Sequence, residues 1–174
     1  MKKFYFILFI VLSSSVSAWA QKAPDTLRTR FIPETLNQSL VDRKGQPTTV
    51  AEVLQQYQGK VTLLYVWAAW CPDCLNGFPA FKQLQKRFPN LEILNFSRDR
   101  TETQWKKAID DFDLKGAHYW FGSDKKNDFT VGIDLNWIPR YLLIDQKGHI
   151  AHYYAVTADD EALIKAIELL IPSS

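Results

Sequence analysis

The stretch Val61-Thr62-Leu63-Leu64-Tyr65-Val66-Trp67-Ala68-Ala69-Trp70-Cys71-Pro72-Asp73-Cys74 decides the fold. Its first seven residues form an unbroken apolar and β-branched run. Strands buried on both faces read this way, and parallel sheets contain them. Beyond Cys74, the residues Leu75, Phe78, Phe81, Leu84 and Phe88 recur at helical spacing, and Pro89 with Asn90 stops the helix. The C-x-x-C therefore stands where a core strand ends and a helix begins.

Working outward, residues 91–96 read as a second core strand. Thr101 with Gln104 forms a capping box, and Trp105, Ala108, Ile109 and Phe112 follow at i, i+3, i+4 and i+7 as an amphipathic helix. Residues 118–121 predict a short strand and 128–133 a short helix. Residues 141–144 and 150–156 flank Asp145-Gln146-Lys147-Gly148 as a β-hairpin. Thr157 with Asp160 is expected to cap a last helix carrying Leu163, Ile164, Ile167 and Leu170. Upstream, residues 31–41 read as an early strand turning at Asp42-Arg43-Lys44-Gly45, and 49–57 as a helix ending at Gly59. The order of β, α, β, α, hairpin and α calls for an α/β sandwich around a central mixed sheet.

Residues 1–20 read as a signal peptide. Lys2 and Lys3 precede an apolar run from 4 to 12, and Ala18-Trp19-Ala20 supplies an A-x-A cleavage pattern. That run is too short for a comfortable membrane span. The alternative is an uncleaved N-terminal anchor extended into the Ser-rich stretch. Residues 21–30 are polar and read as a flexible lead-in, and 31–174 as one domain. The expectation is an exported protein, periplasmic in a bacterium, touching membrane only if the leading segment is retained.

Hydrophobic residues make up 47% of the 174 and charged ones 23%, as in a globular domain with a real core. Two of the 21 basic residues are Lys2 and Lys3, so the remaining 19 balance the 19 acidic ones. Nothing in that balance points to nucleic acid or an anionic surface. No cofactor is called for, and a monomer is expected.

Both cysteines lie in the one C-x-x-C. A bridge across two intervening residues removes little chain entropy, so the pair suits reaction better than stapling. The thiolate is the attacking species, and a helix start offers free N–H groups that favour it. Pro72 fits the first turn, where its missing N–H has no helical partner. Cys74 follows three residues later on the same side of the turn. These positions make Cys71 the nucleophile and Cys74 the resolving residue, with Pro72 and Asp73 tuning them. Asp73 is expected to raise the Cys71 pKa by like-charge repulsion, against the helix start. Two other readings of the pair are half a zinc site and a structural disulfide. Zinc would need two more ligands at metal spacing, and His118, His149 and His152 are the only histidines, each read as a surface or strand-edge residue.

The run W-A-A-W-C-P-D-C resembles the active-site segment of thioredoxins. Pro79, eight after Cys71, matches the proline that kinks their active-site helix. Trp137-Ile138-Pro139 matches their cis-proline loop. The segment 138–148, reading I-P-R-Y-L-L-I-D-Q-K-G, is similar to the I-P-x-x-x-L-I-D-x-x-G of the exported TlpA/ResA-like subgroup. The resemblance covers roughly 31–171. It implies a thioredoxin-like three-layer α/β sandwich, a central mixed β-sheet flanked by helices. It also implies thiol–disulfide exchange through a Cys71–Cys74 redox-active disulfide. The Ile138–Pro139 bond should then be cis and face Cys71, leaving Ile138 backbone groups free for an extended substrate, with Trp70, Pro72 and Trp137 as apolar contacts.

Two departures stand out. Tyr65 occupies the position where thioredoxins often carry a buried acid, and Gly77 the one where cytochrome-maturation reductases often carry a Glu. Both acids are linked to the proton of the resolving Cys. The expected function is an exchange enzyme acting on protein thiols and disulfides with a redox partner, as a reductant rather than an oxidant. The alternatives are a non-catalytic binding module and a peroxiredoxin-type peroxidase. The latter carries a Thr three residues before its reactive Cys, where this chain has Ala68.

Overall fold

The computed structural model describes residues 22–122, 124 and 126–171. The expected signal peptide lies outside the described residues. Seven strands form one sheet in the order β2-β1-β5-β4-β3-β6-β7. The strands are β1 (Ser39–Asp42), β2 (Pro47–Thr49), β3 (Thr62–Trp67), β4 (Glu92–Ser97), β5 (Ala117–Trp120), β6 (Arg140–Ile144) and β7 (Ile150–Ala155). The helices are α1 (Pro33–Leu36), α2 (Val50–Gln56), α3 (Pro72–Arg87), α4 (Glu102–Asp111), α5 (Asp128–Gly132) and α6 (Glu161–Leu170).

The run 61–67 forms β3, and all six of its strand residues are buried. It pairs in parallel with β4, which pairs in parallel with β5, while β6 lies antiparallel on the other side of β3. The sheet is therefore mixed, as expected. Side chains alternate along β3. Tyr65 and Trp67 meet Phe81 and Phe78 of α3 on one face, with ring centroids 4.5 and 5.8 Å apart. Val66 is the register partner of Phe96 in β4. Phe96 packs on Phe129 of α5 at 5.2 Å, on the opposite face. Helix, sheet and helix make the three layers of a thioredoxin-like sandwich.

The N-terminal end departs from expectation. Residues 31–41 were to be one strand, but α1 occupies the middle, because Pro33 at the first helical position has a φ and a missing N–H that suit a helix start. The strand begins only at Ser39. At the turn after it, the Asp42 carboxylate accepts from the Lys44 and Gln46 N–H groups, and Gly45 takes φ +83°. The three-residue β2 was not foreseen. Thr49 closes β2 and caps α2 through a full capping box with Glu52.

Two expected caps change. Of the Thr101 box only one arm is seen, with Thr101 Oγ1 accepting from Gln104 N–H at 3.2 Å. The last helix is capped by Asp160, not by Thr157, since the Asp160 carboxylate is the one within reach of Leu163 N–H, at 2.8 Å. His118 is also corrected. It is buried, because β5 runs inside the sheet between β1 and β4. His152 does lie on the edge strand β7, and His149 pairs with Asp145 at 3.6 Å in the β6–β7 turn.

Residues 22–30 carry no helix or strand, yet Thr29 carbonyl accepts from Ile150 N–H at 2.9 Å. Helix α5 sits close on α1. A Cβ added at Gly132 would fall 1.6 Å from Thr35 Oγ1, so only glycine fits there.

Candidate active site

Strand β3 ends at Trp67, and a short turn leads to α3. The turn is held from the neighbouring strand. Arg98 N–H donates to Trp67 carbonyl at 2.9 Å, and Ala69 N–H donates to the Asp99 carboxylate at 2.8 Å. Ser97 hydroxyl donates to the other Asp99 oxygen at 2.8 Å. Asp99 is wholly buried, and burial raises its pKa against these bonds. Sequence reasoning missed Asp99. Its only signal is an acid just past a core strand, and nothing local names Ala69 as its partner.

Cys71 is the N-cap of α3, with extended backbone at φ −93° and ψ 112°. Its sulfur accepts from Cys74 N–H at 3.3 Å, as a cap side chain does. Pro72 follows in the first turn, exposed. Farther along, Pro79 lies inside the helix with no N–H to offer Leu75 carbonyl. Both cysteines are free thiols, so the geometry is that of the dithiol. Cys71 keeps 5% of its surface exposed and Cys74 none.

The Ile138–Pro139 bond is cis. Both residues are buried beside the cysteines, and Cys71 thiol donates to Ile138 carbonyl at 3.4 Å. That carbonyl was expected to be free for a substrate; in the dithiol it is occupied by the Cys71 sulfur. Trp70 is 47% exposed, with its indole N–H on Arg98 carbonyl at 3.2 Å. Asp73 is exposed, and its carboxylate accepts from the Trp137 indole N–H at 3.1 Å. Cys71, Pro72, Asp73, Cys74, Trp70, Ile138 and Pro139 thus form one patch at one end of the sheet. Beside it a groove runs between Asn76 and Gly77 of α3, the Trp137–Pro139 loop, and Asp159.

The loop carrying Pro139 is held from behind by Arg140, which sequence reasoning also missed. This arginine is fully buried. Its guanidinium donates to Ile133 carbonyl and the Asn136 side chain, and lies 4.0 Å over the Tyr154 ring. Burial lowers its pKa.

The two sulfurs differ sharply. The Cys71 pKa is lowered to about 7, first by the hydrogen bond from the Cys74 thiol. Burial works the other way. The Cys74 N–H lowers the pKa further, and the Asp73 charge raises it, in the expected direction. Burial pushes the Cys74 thiol far above its ordinary value, and its bond to Cys71 adds to this. One sulfur is a ready thiolate near neutral pH, and the other is a protonated donor behind it.

The thioredoxin-like family pattern matches residues 59–150. The thioredoxin-like protein YneN of Bacillus subtilis is 30% identical over 122 residues, which span 67% of this chain and 68% of that protein. The thiol:disulfide interchange protein DsbE of Yersinia pestis is 26% identical over 140 residues, 79% of this chain and 71% of its own. Among solved structures, a thiol-disulfide oxidoreductase from Bacteroides fragilis superposes with a TM-score of 0.65 at 20% identity, covering 83% of this chain and 99% of its own. A thiol:disulfide interchange protein from Bacteroides sp. reaches 0.63 at 23%, covering 84% and 91%. These two establish likeness of fold; the family match spans the strand, the C-x-x-C and the Pro139 loop together. The chain belongs to the thioredoxin-like family, within its class of thiol–disulfide oxidoreductases.

Proposed function

We propose that this chain is an exported reductant of protein disulfides, with Cys71 as nucleophile and Cys74 as resolving residue. The inequality of the two sulfurs carries the reading: Cys71 sits at the surface edge with a pKa of about 7, and Cys74 is sealed and protonated. The Cys71 thiolate attacks a substrate disulfide, forming a mixed disulfide and releasing one substrate sulfur, which takes up a proton. Cys74 then loses its proton and attacks the Cys71 sulfur. This forms the Cys71–Cys74 disulfide and releases the second substrate thiol. Two electrons pass to the substrate, and a separate redox partner restores the dithiol. The substrate chain crosses the patch of Trp70, Ile138 and Pro139, with Pro72 and Asp73 at its rim.

Two features support the reducing direction. C-x-x-C nucleophiles span pKa values of about 3.5 to 7.5, and the low end stabilises the reduced form and makes an oxidant. A value of about 7 belongs to the other end, and the Asp73 charge pushes it there. Export is supported by Lys2, Lys3, the apolar run and Ala18-Trp19-Ala20. Intact mass of the exported protein should correspond to a start at Gln21.

The deciding experiment is trapping in the native host with Cys74→Ser. Mixed disulfides should accumulate on Cys71 and be absent from Cys71→Ser. Equal trapping by both variants, or by neither, would overturn the assignment.

A further inference from the structure

Two buried phenols stand behind the cysteines without a settled role. Tyr65 of β3 and Tyr141 of β6 are register partners. Their rings stack 4.7 Å apart at an interplanar angle of 10°. Phe81 closes over both, at 4.5 and 5.9 Å. Neither tyrosine has exposed surface, and neither hydroxyl has a partner at full hydrogen-bonding geometry, though each lies close enough to the other for their protons to be coupled. A buried hydroxyl left unpaired is costly. Phenylalanine would fill the same space without that cost, so packing alone does not account for the hydroxyls.

Cys74, Phe78 and Phe81 share the buried face of α3, and Tyr65 packs against Phe81 on the side of the sheet that this face covers. A Cys74 thiolate would raise the pKa of each phenol, and the Tyr65 hydroxyl acts on Cys74 as a hydrogen-bond donor would. The other strong influences on Cys74 are burial, the Cys71 sulfur and the Ala68 N–H; no carboxylate is among them. Tyr141 also borders the groove beside Pro139 and feels the Asp159 charge.

Resting on the exchange reading above, we propose that the Tyr65 hydroxyl is the donor that stabilises the Cys74 thiolate in the resolving step, and that Tyr141 positions Tyr65. In that step the Cys74 S–H bond breaks and its sulfur bonds to Cys71. The bond from Cys71 to the substrate sulfur breaks, and the proton ends on that departing sulfur. Midway, negative charge sits on Cys74 where water does not reach. Tyr65 keeps its proton and shares it with that sulfur. Tyr141 hydroxyl then donates to the Tyr65 oxygen, holding the phenol in place. Tyr65 is thus a catalytic residue, and Tyr141 a positioning residue.

The test is single-turnover reaction of the full chain with 5,5′-dithiobis(2-nitrobenzoate), followed by release of the coloured thiolate. The first release reports attack by Cys71, and the second reports resolution by Cys74. In Tyr65→Phe the second phase should slow roughly tenfold relative to the first, the loss expected of one bond to a charged acceptor. Its pH profile should also move to higher pH. Tyr141→Phe should slow the second phase less, and the double variant should be no slower than Tyr65→Phe. A second phase within twofold of the unsubstituted protein, in a folded Tyr65→Phe, would overturn the proposal. If that variant does not fold, the pH profile of Tyr141→Phe decides: an unmoved second phase overturns the proposal, and a shift upward supports it. Absence of any release from the unsubstituted protein would instead overturn the exchange reading, and this inference with it.

Discussion

The Trp137 indole N–H donates to the Asp73 carboxylate at 3.1 Å, tying the residue between the two cysteines to the loop that carries Pro139. Asp73 is therefore held by the groove wall and does not fold back over the Cys71 sulfur. Its charge still reaches that sulfur and raises the pKa, more weakly than the Cys74 thiol lowers it.

Asp73→Asn should then lower the Cys71 pKa by less than about one unit, since Asp73 is exposed and solvent screens it. A more stable thiolate favours the reduced form, so the reduction potential should rise by up to about 30 mV. The amide oxygen of the variant can still accept from Trp137, which separates charge from geometry. Thiolate absorbance against pH and a glutathione titration would measure both, and an unchanged or raised pKa would remove Asp73 from the tuning set.

Cys74→Ala should move the Cys71 pKa upward from about 7, because the Cys74 thiol is its largest stabilising partner. The backbone bond from residue 74 remains. Iodoacetamide labelling across pH 5 to about 9 would trace the shift. A downward movement would mean that relief from burial outweighs the lost donor.

Asp99→Ala should cost about 1–3 kcal/mol, the penalty for leaving the Ala69 N–H and Ser97 hydroxyl without their acceptor. The turn before Cys71 loses its tether in the same change, so turnover should fall beyond what stability explains. Asp99→Asn keeps one acceptor and should recover part of both losses. Urea unfolding beside a disulfide-reduction assay would show it, and wild-type turnover in a folded Asp99→Ala would rule out the tether.

His118 is buried, with Nε2 on Leu114 carbonyl at 3.1 Å, and burial lowers its pKa to about 4. The unfolded chain binds a proton near pH 6.5 and the folded chain does not. Stability is therefore full above that pH and falls as the pH drops toward 4, by on the order of 2–3 kcal/mol. His118→Gln should flatten that slope in denaturant midpoints taken between the two pH values. A slope unchanged by the substitution would assign the acid sensitivity elsewhere.

What could be read from the sequence was set by local pattern. The run 61–67, the helical spacing after Cys74 and the turn at Asp145 each state their own conformation. Pro139 could be placed because its neighbours form a motif. Residues 31–41 misled, because a four-residue helix and a four-residue strand both fit so short an apolar stretch; Pro33 was the cue. The rest of the site is made by contacts across the sheet. Asp99 meets Ala69 because β4 lies beside β3, and Tyr65 meets Tyr141 because β6 runs antiparallel to it. Register of that kind is a property of the assembled sheet, and no window along the chain contains it.

The Cys71 sulfur draws its neighbours from very different distances along the chain. The Cys74 N–H is three residues away and is present as soon as the first turn of α3 closes. Ile138 is 67 residues away, and arrives only when β6 docks on β3. Contacts that span long stretches of chain form late. The order of closure predicts a stage in which the backbone donor to the Cys71 sulfur is in place but its cover is missing. During that interval it is open to stray oxidants and to disulfides of other chains, and pulse alkylation during refolding should find Cys71 at its most reactive before the native state is reached.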